Sequence, residues 1–329
     1  MFGTILGGLP RPPAKGVGHA SDDDAVRAVI AAQEAAGLEP ITDGRLRWRG
    51  ELGPLERLAG LHPDPAGTLR TDSLPRRTHP LFLDEWRFAS TATERAVKQA
   101  ILGPYTAGRR IALDAVARED VTYALSEALN AEIVDLAAAG CPLIEIDEPD
   151  AIEIGTDDSE RRLFIEAQRR LTAGLSGPHL SLALTGGNAD EAGVETFVHG
   201  SYASYAVDLI NGPDNWRLVT AIPGERGIVC GALDTRPGSD DSVELLAWAA
   251  HYAASTNGRG LERIGLAVVP GLGRQDWSLV ERKLAVLGRA IGVARRSGDD
   301  LARSIDPRAV DIRSAALGRY EPARPRRRK

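Results

Sequence analysis

Cysteine is scarce in this sequence of 329 residues, in which only Cys141 and Cys230 occur. The two thiols are too distant in sequence to form a CxxC pair, which argues against a disulfide framework and against a thiolate-rich zinc site. Histidines also stand singly, without a second histidine or cysteine at metal-pair spacing, so the sequence predicts no metal site. We expect structural or surface roles for all of them: His19, His62, His79, His179, His199 and His251.

An excess of basic charge is lacking as well, since the net charge is -6. This argues against nucleic-acid binding, which needs a concentrated basic face. The basic tail RPRRRK at 324–329 is predicted to be a solvated terminus, with a contact arm for a partner as the alternative. The opening MFGTILGGLP is too short to span a membrane and lacks the basic lead of a signal peptide, so a cytoplasmic setting without membrane contact is expected.

The composition, with 43% hydrophobic and 26% charged residues, is typical of a globular enzyme or binding protein. Apolar runs alternate with helical periodicity, which predicts parallel strands joined by helical crossovers. Helices are predicted at 22–36, 120–139, 158–173, 189–199, 215–222, 240–255 and 277–296. Eight strands, enough to close a (β/α)8 TIM barrel, are predicted at 3–7, 39–42, 97–102, 143–147, 180–185, 205–210, 227–233 and 263–269.

Two parts of the chain depart from this regular spacing. The stretch 43–96 is rich in Pro, Gly and Arg and too long for an ordinary connection, so we expect an excursion over the barrel mouth. We assign residues 1–296 to the barrel and 297–329 to a short C-terminal extension that ends in the basic tail. The oligomeric state is left open.

The strongest candidate for a functional residue is Asp147, which follows the apolar run 143–146 and adjoins Glu148. Chemistry in barrels of this kind lies at the carboxyl ends of the strands, although both acids could instead cap the following turn. Polar anchors or glycines follow the other predicted strands. We expect the catalytic residues to be Asp147, Glu148, Asp234 and Arg236, and the substrate to contact Gly8, Asp43, Arg45, Trp48, Tyr105, Asn188 and Arg274.

Seven motifs occur in order from residue 3 to about 290: TILGGLPRP, ITDGR, VKQAILGPYT, IEIDEP, GGN, GALDTR and VVPGLG. Together they resemble the C-terminal catalytic domain of cobalamin-independent methionine synthase. The resemblance implies a (β/α)8 barrel, a cytosolic setting, and methyl transfer from 5-methyltetrahydrofolate to a thiol held by zinc.

The zinc ligands of that family are not matched. Its strand 5 pair falls on Ala183 and Thr185, its strand 6 glutamate falls near Ile210, and its strand 8 cysteine falls on Pro270. Alanine, isoleucine and proline cannot coordinate a metal, and a lone threonine hydroxyl is a poor zinc donor. Zinc activation of a thiolate is therefore not available at the usual place.

A further departure concerns the substrate's amino group. The family usually carries a glutamate after Asp-Gly in the strand 2 loop, where it helps to hold the amino group of homocysteine, and here the position is Arg45. A cation there disfavours an ammonium and favours an anion. We therefore predict a zinc-independent methyl or one-carbon transferase that uses a folate-type donor and a small, anionic acceptor other than homocysteine. Asp147 or Glu148 would take a proton from the acceptor or hold it, while Arg45, Arg236 and Arg274 bind anionic groups.

Two alternatives remain open. A metal-free lyase or decarboxylase acting on an anionic substrate would also use the arginines at 45–49 together with Arg76 and Arg77, unless these are solvated loop charges. A non-catalytic paralogue that binds a ligand would equally explain the loss of four zinc ligands. Trp48 either stacks on a flat ring such as a pterin or fixes the excursion to the barrel.

Overall fold

The apolar runs of the sequence form strands in the computed structural model, which describes residues 1–13, 21–50, 52–239 and 241–296. The predicted extension 297–329 and its basic tail lie outside the described residues. Within those residues ten strands form: β1 (Phe2–Ile5), β2 (His62–Pro63), β3 (Leu69–Thr71), β4 (Lys98–Leu102), β5 (Ala112–Leu113), β6 (Leu143–Asp147), β7 (His179–Leu184), β8 (Ser204–Asp208), β9 (Gly227–Leu233) and β10 (Ile264–Val268).

Seven of these strands make one curled parallel sheet in the order β1-β10-β9-β8-β7-β6-β4. Neighbouring strands are joined in sequence by helices, as parallel pairing requires. The helices of the described residues are α1 (Asp22–Ala35), α2 (Leu83–Thr91), α3 (Pro104–Arg110), α4 (Arg118–Ala138), α5 (Asp158–Leu171), α6 (Val194–Phe197), α7 (Trp216–Ala221), α8 (Val243–Ser255) and α9 (Trp277–Ala294). The mixed α/β architecture of a TIM-barrel-like fold is therefore confirmed.

Local signals explain where several helices begin. The side chain of Ser21 accepts a hydrogen bond from the backbone of Asp24 at the start of α1, and Ser242 does the same for Leu245 at the start of α8. Asp157 accepts from two backbone N–H groups in the first turn of α5. These side chains satisfy donors that have no partner within the helix.

The prediction of a regular strand at 39–42 is wrong. This segment makes only isolated bridges, one between Glu39 and Gly3 on β1 and one between Ile41 and Val97, which directly precedes β4. Pro40 interrupts the ladder because it has no backbone N–H to donate. The segment nevertheless contacts both edge strands of the sheet, since the Ile41 N–H donates to Ala96 at 2.8 Å and the Lys98 N–H donates to Ile41 at 2.9 Å.

The inner face of the curled sheet carries small side chains. Leu6, Ala183, Ala206, Val229 and Ala267 form a separate buried cluster there, distinct from the larger core between the sheet and its helices. Barrel interiors are usually filled by bulky branched residues. The small residues leave space for a buried ion pair between the Lys98 ammonium and the Glu145 carboxylate, whose atoms are 2.6 Å apart.

The stretch 43–96 has its own secondary structure, which the sequence did not predict. It contains α2, and its strands β2 and β3 join β5 in a small second sheet. Its expected position over the barrel mouth stays a prediction. Two other boundaries differ: the predicted helix at 189–199 is reduced to α6, and α3 precedes the predicted helix at 120–139. Among the described segments, no helix combines the length and apolarity needed to cross a membrane.

Candidate functional site

Asp147 lies at the carboxyl end of β6, where its carboxylate forms an ion pair with the guanidinium of Arg45. Both side chains are largely buried, with 9% of the Asp147 side chain and 15% of the Arg45 side chain exposed. The pair joins the strand end to the loop that follows segment 39–42. The expectation that these two residues share one site therefore corresponds to a direct contact.

Local geometry aims Arg45 at this position. Its backbone has φ of 56°, in the left-handed region that non-glycine residues seldom adopt, and its N–H donates to the Asp43 carboxylate at 2.9 Å. Its guanidinium lies 4.5 Å from the ring centre of Trp48. Gly53 backs the same ring so closely that a Cβ there would lie 2.6 Å from ring atoms. Trp48 therefore supports Arg45 on its ring.

Arg45 keeps its positive charge in this buried position. Burial by itself would lower the pKa of Arg45, but the adjacent Asp147 carboxylate outweighs burial and raises that pKa above its usual value. Asp43 behaves differently, because burial raises the pKa of its carboxyl group. Burial, together with the charge of Asp43, raises the pKa of Glu85 to about 7.

Several buried polar atoms around this pair have no hydrogen-bond partner within the described residues. Such atoms are rare in folded proteins, and each costs free energy unless water or a ligand bonds it. Here they cluster between residues 43 and 48 and around them: Asp43 Oδ2, Arg45 Nε, Arg47 Nη1, Trp48 Nε1, Glu85 Oε2 and Asp147 Oδ1. The cluster offers both donors and acceptors to a polar ligand.

Glu148 points elsewhere. It is fully buried, and its carboxylate accepts from the backbone N–H groups of Tyr105 and Thr106 at the start of α3 and from the Gln168 amide at 2.7 Å. Burial raises the pKa of Glu148 to about 7. Because its oxygens are engaged in this way, Glu148 fixes α3 to the end of β6.

Tyr105 is also directed into the protein. Its side chain is fully buried, its hydroxyl donates to Glu160 at 2.6 Å, and its ring packs edge-on against Phe164 at 5.4 Å. Burial raises the pKa of the Tyr105 hydroxyl.

Asp234 and Arg236 lie together after β9. The Asp234 carboxylate accepts from the backbone N–H of Arg236 at 2.9 Å and from its guanidinium at 2.8 Å and 2.6 Å. Burial would raise the pKa of Asp234, but the bonds from Arg236 outweigh it and lower that pKa. The Arg236 side chain is 73% exposed, so this pair lies at the surface of its loop.

The remaining predicted residues lie on neighbouring loops. Asn188 exchanges hydrogen bonds with Asp214, which ties the loop after β7 to the loop after β8. Arg274 is exposed. Gly8 packs against the carbonyl oxygen of Gly44, and the next residue, Leu9, donates its N–H to that same oxygen at 2.9 Å.

Two features were missed by sequence reasoning. Asp208, at the end of β8, is fully buried and accepts four hydrogen bonds, from the N–H groups of Gly186, Ile210 and Asn211 and from the Asn211 amide. Its position at a strand end was a usable signal. The Lys98–Glu145 pair was missed although both charges stand inside apolar strands, which is itself unusual.

The residues present do not fit a zinc ion at the positions that the resemblance assigns to ligands. Ala183 lies in the inner apolar cluster, and neither Ile210 nor Pro270 carries a donor. Asp208, the carboxylate nearest to Ile210 in sequence, has both oxygens engaged by N–H groups. Across the ranges described, no group of three or more His, Cys, Asp or Glu residues is placed to hold a metal ion.

Fold and site together define a TIM-barrel-like α/β protein with a charged cluster at the carboxyl ends of its strands. Residues 67–172 match the family described as "Cobalamin-independent synthase, Catalytic domain". A methionine synthase of Sulfurisphaera tokodaii is 30% identical over 200 residues, which cover 53% of this chain and 58% of that protein. A 5-methyltetrahydropteroyltriglutamate–homocysteine methyltransferase of Thermotoga petrophila is 35% identical over 74 residues, covering 22% of this chain and 10% of that protein.

Among solved structures, a B12-independent methionine synthase from Shewanella sp. W3-18-1 in complex with selenomethionine superposes with a TM-score of 0.76. The superposition covers 89% of this chain and 97% of that chain at 19% identity, so it shows the shared fold. The chain is similar to cobalamin-independent methionine synthases in sequence over about half of its length and in fold, so the resemblance is confirmed. It spans little more than half the length of the first curated relative that it matches.

Proposed function

We propose that this protein is a zinc-independent methyl or one-carbon transferase that uses a folate-type donor and a small anionic acceptor other than homocysteine. The observation that carries the proposal is the ion pair between Arg45 and Asp147 at the end of β6. Its relatives are methyltransferases, and one is named for 5-methyltetrahydropteroyltriglutamate and homocysteine. The cytoplasmic setting belongs to the proposal as well.

The acceptor's charge follows from Arg45. Its guanidinium already neutralises Asp147, so that carboxylate no longer attracts a substrate ammonium. The Arg45 Nε donor is buried without a partner in the described residues, and a carboxylate or other oxyanion would complete its bonding. Arg236 and Arg274, on the loops after β9 and β10, add positive charge for larger anionic substrates.

In this scheme, protons are transferred by two carboxyl groups, each with a buried oxygen that has no hydrogen-bond partner in the described residues. In the transfer step the bond between the methyl carbon and the donor nitrogen breaks, and the acceptor's lone pair forms the new bond to that carbon. Asp43, whose pKa is raised by burial, supplies a proton to the departing nitrogen. The acceptor's own proton passes to Asp147 Oδ1, which has no partner among the described residues.

Glu148 is assigned a positioning role in this scheme. It holds the first turn of α3 to the strand end that carries Asp147, through the N–H groups of Tyr105 and Thr106. Tyr105 supports the same helix from inside. Trp48 positions Arg45, because the guanidinium lies over its ring.

The alternative of a lyase or decarboxylase would use the same buried arginine to bind an anionic substrate. It differs in needing no methyl donor. Binding of a folate therefore separates the two functions, because only the transferase requires it.

Titration calorimetry with 5-methyltetrahydrofolate in a chelating buffer tests the proposal. We expect saturable binding that is unchanged when zinc replaces the chelator and that weakens about tenfold in Asp43→Asn, since a charged or acidic hydrogen bond is worth roughly 1.5–3 kcal/mol. Arg289→Gln, an exposed change on α9, is the control and should bind as the native protein does. No saturable heat, or binding that requires zinc, would contradict the proposal.

A further inference from the structure

A cavity lies at the opposite end of the sheet from Asp147. It has a volume of about 840 Å³ and is lined by residues at the amino ends of the strands, including Phe2 of β1, Leu143 of β6 and His179 of β7. Small-molecule sites commonly measure roughly 300–1,000 Å³. The proposed transferase chemistry uses none of these residues.

Two arginines line this cavity without a carboxylate partner anywhere in the described ranges. Arg95 donates to the carbonyl oxygen of Leu38 at 2.8 Å, and Arg295 donates to that of Met1 at 2.8 Å. A guanidinium has five N–H donors, so most of the bonding capacity of each remains for a ligand. This contrasts with the arginines of the mouth, since Arg45 and Arg236 are each paired with an aspartate.

The rest of the lining combines one acid with apolar surface. Glu39 is its single carboxylate, and one of its oxygens accepts from the Ala96 N–H at 3.0 Å. His179 shares a hydrogen bond of 2.7 Å with Ser204 and adds a polar group. Phe2, Pro40, Pro142 and Leu143 supply the apolar wall.

We propose that this cavity is a second binding site, for a small amphipathic anion whose oxyanion contacts Arg95 and Arg295 and whose apolar body packs on Phe2 and Leu143. The lining's side chains comprise two arginines and one carboxylate, and their net positive charge favours an anion. The apolar wall adds affinity for a ring or short chain in proportion to the surface removed from water. A carboxylate and a phosphate ester share this chemistry.

Benzoate is a suitable probe for the full-length protein, with benzamide as its neutral match. We expect saturable benzoate binding by titration calorimetry, with benzamide about tenfold weaker because it lacks the charge that an arginine hydrogen bond uses. Arg95→Gln and Arg295→Gln should each weaken benzoate about tenfold for the same reason. Arg289→Gln, on α9, which ends one residue before Arg295, lies outside the cavity lining and should change nothing.

The candidate site around Arg45 and Asp147 provides a second control, because Arg45 also attracts anions. Benzoate binding that survives Arg45→Gln and is lost in Arg95→Gln supports the second site. Binding lost in Arg45→Gln and retained in Arg95→Gln would place the anion at the mouth and overturn the inference. Equal affinity for benzamide, or no saturable binding, would also overturn it. Melting temperatures of the unliganded variants confirm that each is folded.

Discussion

Arg45 and Asp147, 102 positions apart in the chain, form an ion pair with only 15% and 9% of their side chains exposed. One residue comes from a loop and the other from the end of a strand, so the contact depends on how that loop packs against the end of the sheet. Asp147 is left with one buried oxygen that has no partner in the described part of the chain. The pair therefore determines both the charge and the unused bonding capacity of the candidate site.

Removing the Arg45 side chain should destabilise the folded protein. Arg45→Ala leaves the Asp147 carboxylate buried without its counter-charge, so we expect a loss of about 3 kcal/mol in the free energy of unfolding. Urea denaturation measures it. Arg236→Ala is the matched control, because that arginine is 73% exposed and its pair should contribute less than about 1 kcal/mol. Equal losses in the two variants would contradict the expected difference between a buried and an exposed ion pair.

Mutations of Lys98 and Glu145 should have non-additive effects on the free energy of unfolding. Lys98→Met alone leaves Glu145 charged in the interior and should destabilise the protein by roughly 3–5 kcal/mol. The double variant Lys98→Met with Glu145→Leu removes both charges and should recover most of that loss. A thermodynamic cycle from denaturation curves gives the coupling energy, and strictly additive effects would argue against a direct contact between the two side chains.

A side chain added at Gly103 should crowd the Glu148 carboxylate. A Cβ at Gly103 would lie 2.2 Å from the Glu148 carboxyl carbon, so Gly103→Ala should displace that carboxylate and destabilise the protein by about 2 kcal/mol. Gly292→Ala on α9 has open space around the new methyl group and should instead stabilise by roughly 0.5–1 kcal/mol. Thermal unfolding of both variants distinguishes crowding from a general effect of replacing glycine.

Glu85 predicts a pH dependence of stability. Its pKa is about 7 in the folded protein against 4.5 for an unperturbed group, so the folded state holds the proton more tightly. Its contribution is complete below pH 4.5 and is lost as the pH rises through 7. After allowance for solvent screening, the loss should amount to roughly 1–2 kcal/mol. Glu85→Gln should flatten this part of the urea-derived stability profile, and an unchanged slope would assign the titration to other groups.

The sequence predicted the parallel architecture well, because apolar runs and helical periodicity report burial directly. Seven of the eight expected strands form, whereas segment 39–42 fails because Pro40 cannot donate to a ladder. Strand position also predicted that Asp147 lies at the carboxyl end of a strand, as it does in β6. The sequence grouped Glu148 with Asp147, although adjacent side chains along a strand point to opposite faces and Glu148 accordingly contacts α3 instead. The pairing of Lys98 with Glu145 was not predicted, because it depends on the register in which β4 and β6 pair.

The role of Arg45 in selecting the acceptor is tested most directly by comparing homocysteine with 4-mercaptobutyrate, the same thiol acid without its amino group. Thermal shift with the native protein and with Arg45→Glu measures which ligand stabilises each, because binding to the folded state raises the melting temperature. We predict that 4-mercaptobutyrate stabilises the native protein, that homocysteine does not, and that Arg45→Glu reverses the preference. Stabilisation of the native protein by homocysteine, unchanged in Arg45→Glu, would contradict the account.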